Sequence, residues 1–169
     1  MKPEQPSPAL SEENIALYAF QKFGDTALQA AFCCVGSRED AEDIAQEVFF
    51  QLHQNPRSFN DDEHLKAWIL RCVINRCRDL HKSIWRRMRI AWEHVPESAL
   101  ADAEDNTAAI LDAVRALPQP YSEVIYLHDC AGYTIHEIAE ILHKNENTVS
   151  AQLRRGHQKL RISLNEQEG

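Results

Sequence analysis

The feature that most constrains this chain is the spacing of its apolar residues. Ala41, Ile44, Ala45, Val48, Phe49 and Leu52 recur at helical intervals. The same three-and-four rhythm returns at Leu65, Trp68, Ile69, Cys72, Val73, Cys77 and Leu80, and again at Ile135, Ile138, Ala139 and Leu142. No segment shows the period-two alternation of a half-buried strand. Only five of the 169 residues are glycine, which disfavours a sheet-and-turn architecture. The expected fold is all-α.

Start and stop signals divide the pattern. Residues 11–35 read as helical, with a break suggested at Gly24-Asp25 and an end at Gly36. Ser37-x-x-Asp40 resembles a capping box with Asp in place of Glu, and Asn55-Pro56 stops the helix it opens. A polar loop over 57–63 holds one apolar residue, Phe59. A third helix runs from about His64 into the eighties, with Arg71, Asn75, Arg78 and Lys82 off its apolar stripe. Residues 108–117 form a short helix ended by Pro118, and Pro120 opens the next, which carries Val124, Ile125 and Leu127. Thr134-x-x-Glu137 is a full capping box. A short turn over 143–146, with Asn145 as N-cap, leads to a last helix that carries Val149, Leu153 and Leu160. Two helices joined by such a turn, the second one basic, fit a helix-turn-helix.

Between the halves, residues 93–112 hold six acids and no Lys or Arg. Such a stretch buries little. Two helical domains are therefore expected, over 1–92 and 108–169, joined by an acidic linker over 93–107.

The net charge of −8 looks wrong for a nucleic-acid binder, but its distribution is uneven. Residues 65–92 carry eight Lys/Arg and one acid, and residues 147–165 carry four Lys/Arg and no acid. Basic patches steer toward phosphate more than the total charge does. The alternative is two solvated helix faces.

Several classes are disfavoured. No apolar window of about 18 residues exists, so membrane insertion is not expected. Residues 1–8 are polar and Pro-rich, unlike a signal peptide, which points to the cytoplasm. The five cysteines are odd in number and loosely spaced, against a disulfide framework. The eight histidines are scattered without metal-ligand spacing, so neither metal nor other cofactor is expected. No Gly-rich phosphate loop or nucleophile-base motif suggests an enzyme. Asp40, Asp43 and Glu47 lie along one helical stripe and converge poorly on a cation.

Three faces carry the candidate chemistry. On the helix after Ser37, Asp40, Asp43, Gln46, Glu47 and Phe50 lie opposite the apolar side. Phe50 projects among acids, either as an anchor for a protein partner or packed under a loop. On the third helix, Arg71, Arg76, Arg78, Lys82, Arg86, Arg87 and Arg89 could pair with phosphates, and Asn75 could read a base edge. Trp85 and Trp92 could stack on bases or close the core. On the last helix, Asn147, Thr148, Ser150, Ala151, Gln152, Arg154 and Arg155 would face a major groove.

These motifs together resemble a known family. The run Asp40-Ala-Glu-Asp-Ile-Ala-Gln-Glu-Val-Phe49, then Leu65-Lys-Ala-Trp-Ile-Leu-Arg71 and Asn75-Arg-Cys-Arg-Asp79, resembles the second conserved region of extracytoplasmic-function (ECF) sigma factors. Leu117-Pro118, Glu123-Val-Ile, Tyr133-Thr-Ile-His-Glu-Ile-Ala-Glu-Ile-Leu142, Asn147-Thr-Val149, Leu153-Arg-Arg155 and Lys159-Leu160 resemble their fourth. The resemblance implies a non-enzymatic initiation factor. Asp40, Asp43, Gln46, Glu47 and Phe50 would dock on the beta-prime clamp helices of core RNA polymerase, and the second domain would meet the beta flap. Phe59, Asn60, Arg71, Asn75, Arg76, Arg78 and Lys82 would capture and melt the minus-ten element, with a flipped base in the loop. Asn147, Thr148, Ser150, Ala151, Gln152, Arg154 and Arg155 would read the minus-thirty-five duplex. An anti-sigma factor commonly masks both lobes in the family.

Some positions depart from the family pattern. His143 stands where glycine is usual in the turn, and so puts a Cβ where the backbone angle is awkward. Lys144 stands where an apolar residue usually packs, and Ser150, Ala151 and Gln152 replace a commoner basic-small-basic run. Gly156 sits in mid-helix, at a cost of roughly 1 kcal/mol against alanine. Two other readings stay open: a helix-turn-helix regulator that never joins polymerase, and a thiol or metal sensor using Cys33, Cys34 or Cys72.

Overall fold

The computed structural model describes residues 14–88 and 107–168, and every regular element among them is helical. The linker expected at 93–107 falls outside the described residues except for Thr107, as do Arg89, Trp92 and the side chains of Trp85, Arg86 and Arg87.

The first lobe has three helices. α1 (Ile15–Val35) runs unbroken through Gly24, contrary to the expected break. Phe23 and Ala27 on either side of that glycine are both buried, and such packing outweighs a propensity cost of about 1 kcal/mol. The helix ends at Gly36, whose φ of 75° is left-handed and whose N–H donates to Phe32 O at 2.9 Å. α2 (Arg38–Gln54) starts where Ser37 Oγ accepts from the Asp40 N–H, and it buries Ala41, Ile44, Ala45, Val48, Phe49 and Leu52 as expected. In α3 (Asp62–Met88), Leu70 and Ile74 join Leu65, Ile69, Val73 and Cys77 in the core, whereas Trp68, Cys72 and Leu80 are half-buried.

The second lobe contains α4 (Thr107–Arg115), α5 (Tyr121–Ile125), α6 (Ile135–Leu142) and α7 (Glu146–Glu168). α5 runs directly into a π-helical turn, Tyr126–Cys130, closed by Ala131 N–H donating to Tyr126 O at 2.9 Å. The apolar pattern predicted a helix here but not its wider winding. The capping box of α6 is complete: Glu137 N–H donates to Thr134 Oγ1, and Thr134 N–H donates to Glu137 Oε2. Gly156 has a packing reason. A Cβ there would lie 2.9 Å from Ile125 Cγ1, so only glycine lets α7 and α5 cross this closely.

The lobes are not separate beads. One apolar cluster runs from Ile15 in α1 to Leu153 in α7. α1 packs on α4 and α5, and α3 packs on α6. Arg115 lies 4.8 Å from the Phe32 ring centre, and Tyr126 Oη donates to Thr26 O at 3.3 Å. No described helix is long and apolar enough to cross a membrane.

Candidate nucleic-acid interface

On α2 the structure separates the two readings of Phe50: its ring is 59% exposed, not tucked under a loop. Asp43, Gln46 and Glu47 are exposed beside it, and Asp40 is half-buried at the helix start. The apolar part of this face is larger than its sequence stripe suggests. Phe20 of α1 is also 57% exposed and meets Phe49 edge-on, with ring centres 5.5 Å apart. A groove of about 350 Å³ lies between α1 and α2, lined by Phe20, Leu28, Ala45, Gln46 and Phe49 among others. In the sequence Phe20 is only one more apolar residue of the first helix.

Arg76 joins this face rather than its expected neighbours. Its guanidinium donates to Glu47 Oε2 at 2.7 Å and to Gln51 Oε1 at 2.8 Å. A residue assigned to promoter DNA is thus paired with one assigned to polymerase.

Phe59 also departs from expectation. The ring expected to meet DNA is 6% exposed and packs beside Trp68 and His64, with ring centres 5.7 and 5.2 Å away. The loop's one large apolar side chain gains more by filling that gap than by facing water. Asn60 is exposed, and its N–H donates to His64 Nδ1 at 3.3 Å. The Asp61 carboxylate accepts from the His64 N–H at 2.7 Å, so the loop folds onto the first turn of α3.

Along α3, Asn75 and Lys82 are exposed, but Arg71 and Arg78 are held by the second lobe. Arg71 donates from Nε to Ile141 O at 3.0 Å and from Nη2 to Glu140 O at 3.2 Å, placing its cation on the C-terminal carbonyls of α6. Arg78 makes a two-pronged contact with Glu123, from Nε at 3.2 Å and Nη2 at 2.5 Å. Glu123 is 1% exposed and takes a second cation, Lys144 Nζ, at 3.0 Å. Lys144 also donates to Gln152 Oε1 at 3.1 Å. The family departure at Lys144 therefore supplies a charge where a buried carboxylate needs one. Sequence reasoning missed Glu123 as a partner, because nothing local shows that a cation 45 residues upstream will reach it.

The face of α7 is open. Asn147, Thr148, Ser150, Arg154 and Arg155 are exposed, while Ala151 and Gln152 are half-buried. Asn145 Oδ1 accepts from the Asn147 N–H at 2.8 Å, the expected cap. His143 takes the left-handed angle its position demands, with φ 52°.

Cys33, Cys34 and Cys72 are poorly placed for reaction, whereas Cys130 is exposed. Burial pushes Cys33 up to about 12. A hydrogen bond with Cys77, together with burial, raises Cys34 well above the ordinary thiol range. Burial raises Cys72 as well. Raised thiols are weak nucleophiles, which removes the main support for a thiol sensor.

The arrangement defines a two-lobed helical protein with an exposed acidic-aromatic face on one lobe and a helix-turn-helix on the other. The family model described as Sigma-70 region 2 matches residues 19–87, and that described as Sigma-70, region 4 matches residues 107–160. RNA polymerase sigma factor SigV of Bacillus subtilis is 26% identical over 140 residues, covering 82% of this chain and 84% of its own. ECF RNA polymerase sigma factor BldN of Streptomyces coelicolor is 26% identical over 140 residues, but this chain spans only 53% of its length. Among solved structures, the sigma factor RpoE in complex with the anti-sigma factor NepR from Bartonella quintana superposes with a TM-score of 0.68 at 20% identity. That match covers 86% of this chain and 95% of RpoE. The chain belongs to the ECF group of the sigma-70 family, whose members join RNA polymerase and direct it to promoters to start transcription.

Proposed function

We propose that α2 docks on the beta-prime clamp helices through Asp43, Gln46, Glu47 and Phe50, with Asp40 fixing the helix start. α3 and the loop before it then take the minus-ten element, with Asn60, Asn75 and Lys82 available at once and Arg71 and Arg78 only after release. Phe59 supports that loop from beneath. α7 reads the minus-thirty-five duplex through Asn147, Thr148, Ser150, Arg154 and Arg155, and the second lobe meets the beta flap. The domains are taken as 1–92 and 108–169, with 93–107 as the connecting strap. The chain works in the cytoplasm, where promoters are, and leaves the chemistry to polymerase.

The observation that carries this reading is the exposed Phe50 on an acidic helix face, in the same chain as an open recognition helix. A duplex-binding regulator needs the second feature and has no use for the first. The free chain is closed: Arg71 and Arg78 are occupied until the lobes part. An anti-sigma partner fits the same logic, and RpoE, similar in fold, is known with one.

The test is transcription. Purified core polymerase plus this chain should start at discrete sites in a library of promoter fragments. Phe50→Ala and Glu47→Lys should each weaken co-purification with polymerase, while duplex binding through α7 stays intact. A library in which no fragment initiates would contradict the proposal.

A further inference from the structure

Three metal-ligating side chains meet on the second lobe, outside every contact assigned above. His128 and Asp129 come from the π-helical turn, and His157 comes from α7. His128 Nδ1 lies 2.6 Å from Asp129 Oδ1, and His157 Nε2 lies 2.7 Å from Asp129 Oδ2. All three donor groups lie within 4.8 Å of one another, and the two imidazoles stand 6.3 Å apart at 75°. Two features of the fold build this cluster. His128 and Asp129 are consecutive in the π turn and hydrogen-bonded to each other. Gly156 brings α7 against Ile125, and His157, the next residue, arrives over the turn. Sequence spacing hid the site, because 28 residues separate Asp129 from His157.

We infer that His128, Asp129 and His157 form a binding site for a first-row divalent transition cation of the zinc type. Two imidazole nitrogens and one carboxylate suit zinc, cobalt or nickel, whereas magnesium and calcium prefer all-oxygen shells. The side chains are 38%, 37% and 42% exposed, so an ion can enter and water can complete a four-coordinate shell. Each imidazole now donates an N–H to the carboxylate, and the cation would replace those protons. Ligands held about 2.0–2.1 Å from one ion in a tetrahedral shell stand about 3.3 Å apart, so each hydrogen-bonded pair must open by roughly 0.7 Å. A bound ion would tie α7, two residues beyond Arg155, to the turn before the helix-turn-helix.

The site stands or falls apart from the polymerase reading. The test is titration of the full, tag-free chain with Zn²⁺ alone, in a non-thiol reductant, followed by calorimetry and thermal unfolding. One equivalent should bind and raise the unfolding midpoint. His157→Gln and Asp129→Asn should each weaken binding by on the order of tenfold or more, with circular dichroism verifying their helices. Cys130→Ser should leave binding unchanged, and Co²⁺ in place of zinc should show no thiolate charge-transfer band. The inference is overturned if the wild-type chain shows no saturable binding, if His157→Gln binds as well as wild type, or if only Cys130→Ser abolishes binding.

Discussion

α3 and α7 are both basic helices, and sequence reading assigned both to DNA. The structure treats them differently. On α3, Arg71 and Arg78 are spent on the second lobe, one on helix-end carbonyls and the other on a buried carboxylate. On α7, Arg154 and Arg155 stand in solvent. A basic patch is therefore a statement of capacity, and its occupancy is decided by what packs against it. For an initiation factor the asymmetry has a use. In the free chain the α7 side chains proposed to read duplex are open, while Arg71 and Arg78 on the α3 face proposed for the opened strand are held by the second lobe and Asn75 and Lys82 stay exposed.

The strongest way to break this contrast is Glu123→Ala. It strands Arg78 and Lys144, both only partly exposed, around an empty site. Loss of about 3 kcal/mol is expected by urea unfolding. Arg78→Ala should cost clearly less, because Lys144 still satisfies Glu123. Next comes Gly156→Ala, which attacks the support of the open helix. Helix propensity alone predicts a gain of about 1 kcal/mol. The 2.9 Å approach to Ile125 predicts overpacking instead, and a net loss of about 1 kcal/mol in thermal unfolding. His143→Gly should do the reverse at the turn, gaining about 0.5 kcal/mol by relieving a left-handed angle.

The smallest effect is electrostatic. His136 is raised above the ordinary imidazole value by its hydrogen bond to Glu146 and by nearby Glu140. Its contribution is full below the ordinary value and is lost as pH rises through the raised one. An NMR titration should place its midpoint above that of a free histidine, and Glu146→Gln should bring it back down.

Sequence carried the parts of this account that depend on local rules. The α2 core stripe, the Thr134–Glu137 box and the Asn145 cap all follow from neighbours three or four apart. Phe50 was visible as an apolar residue on the wrong side of a helix. What escaped depends on distant partners. Gly24 reads as a break until the burial of Phe23 and Ala27 is known. Phe59 reads as a free ring until Trp68 lies beside it. Arg76 reads as a phosphate ligand until Glu47 claims it. The family departures at Lys144 and Gly156 were visible but unexplained, since Glu123 and Ile125 reach them only in the fold.

The central claim is that the second lobe holds α3 until polymerase parts the two. Dyes placed at Asp79 of α3 and Gln158 of α7, both exposed, would report the separation by energy transfer. One population at short distance is predicted for the free chain, moving to a longer distance when core polymerase is added. Lobes already apart in the free chain, or a distance unchanged on binding polymerase, would contradict the account.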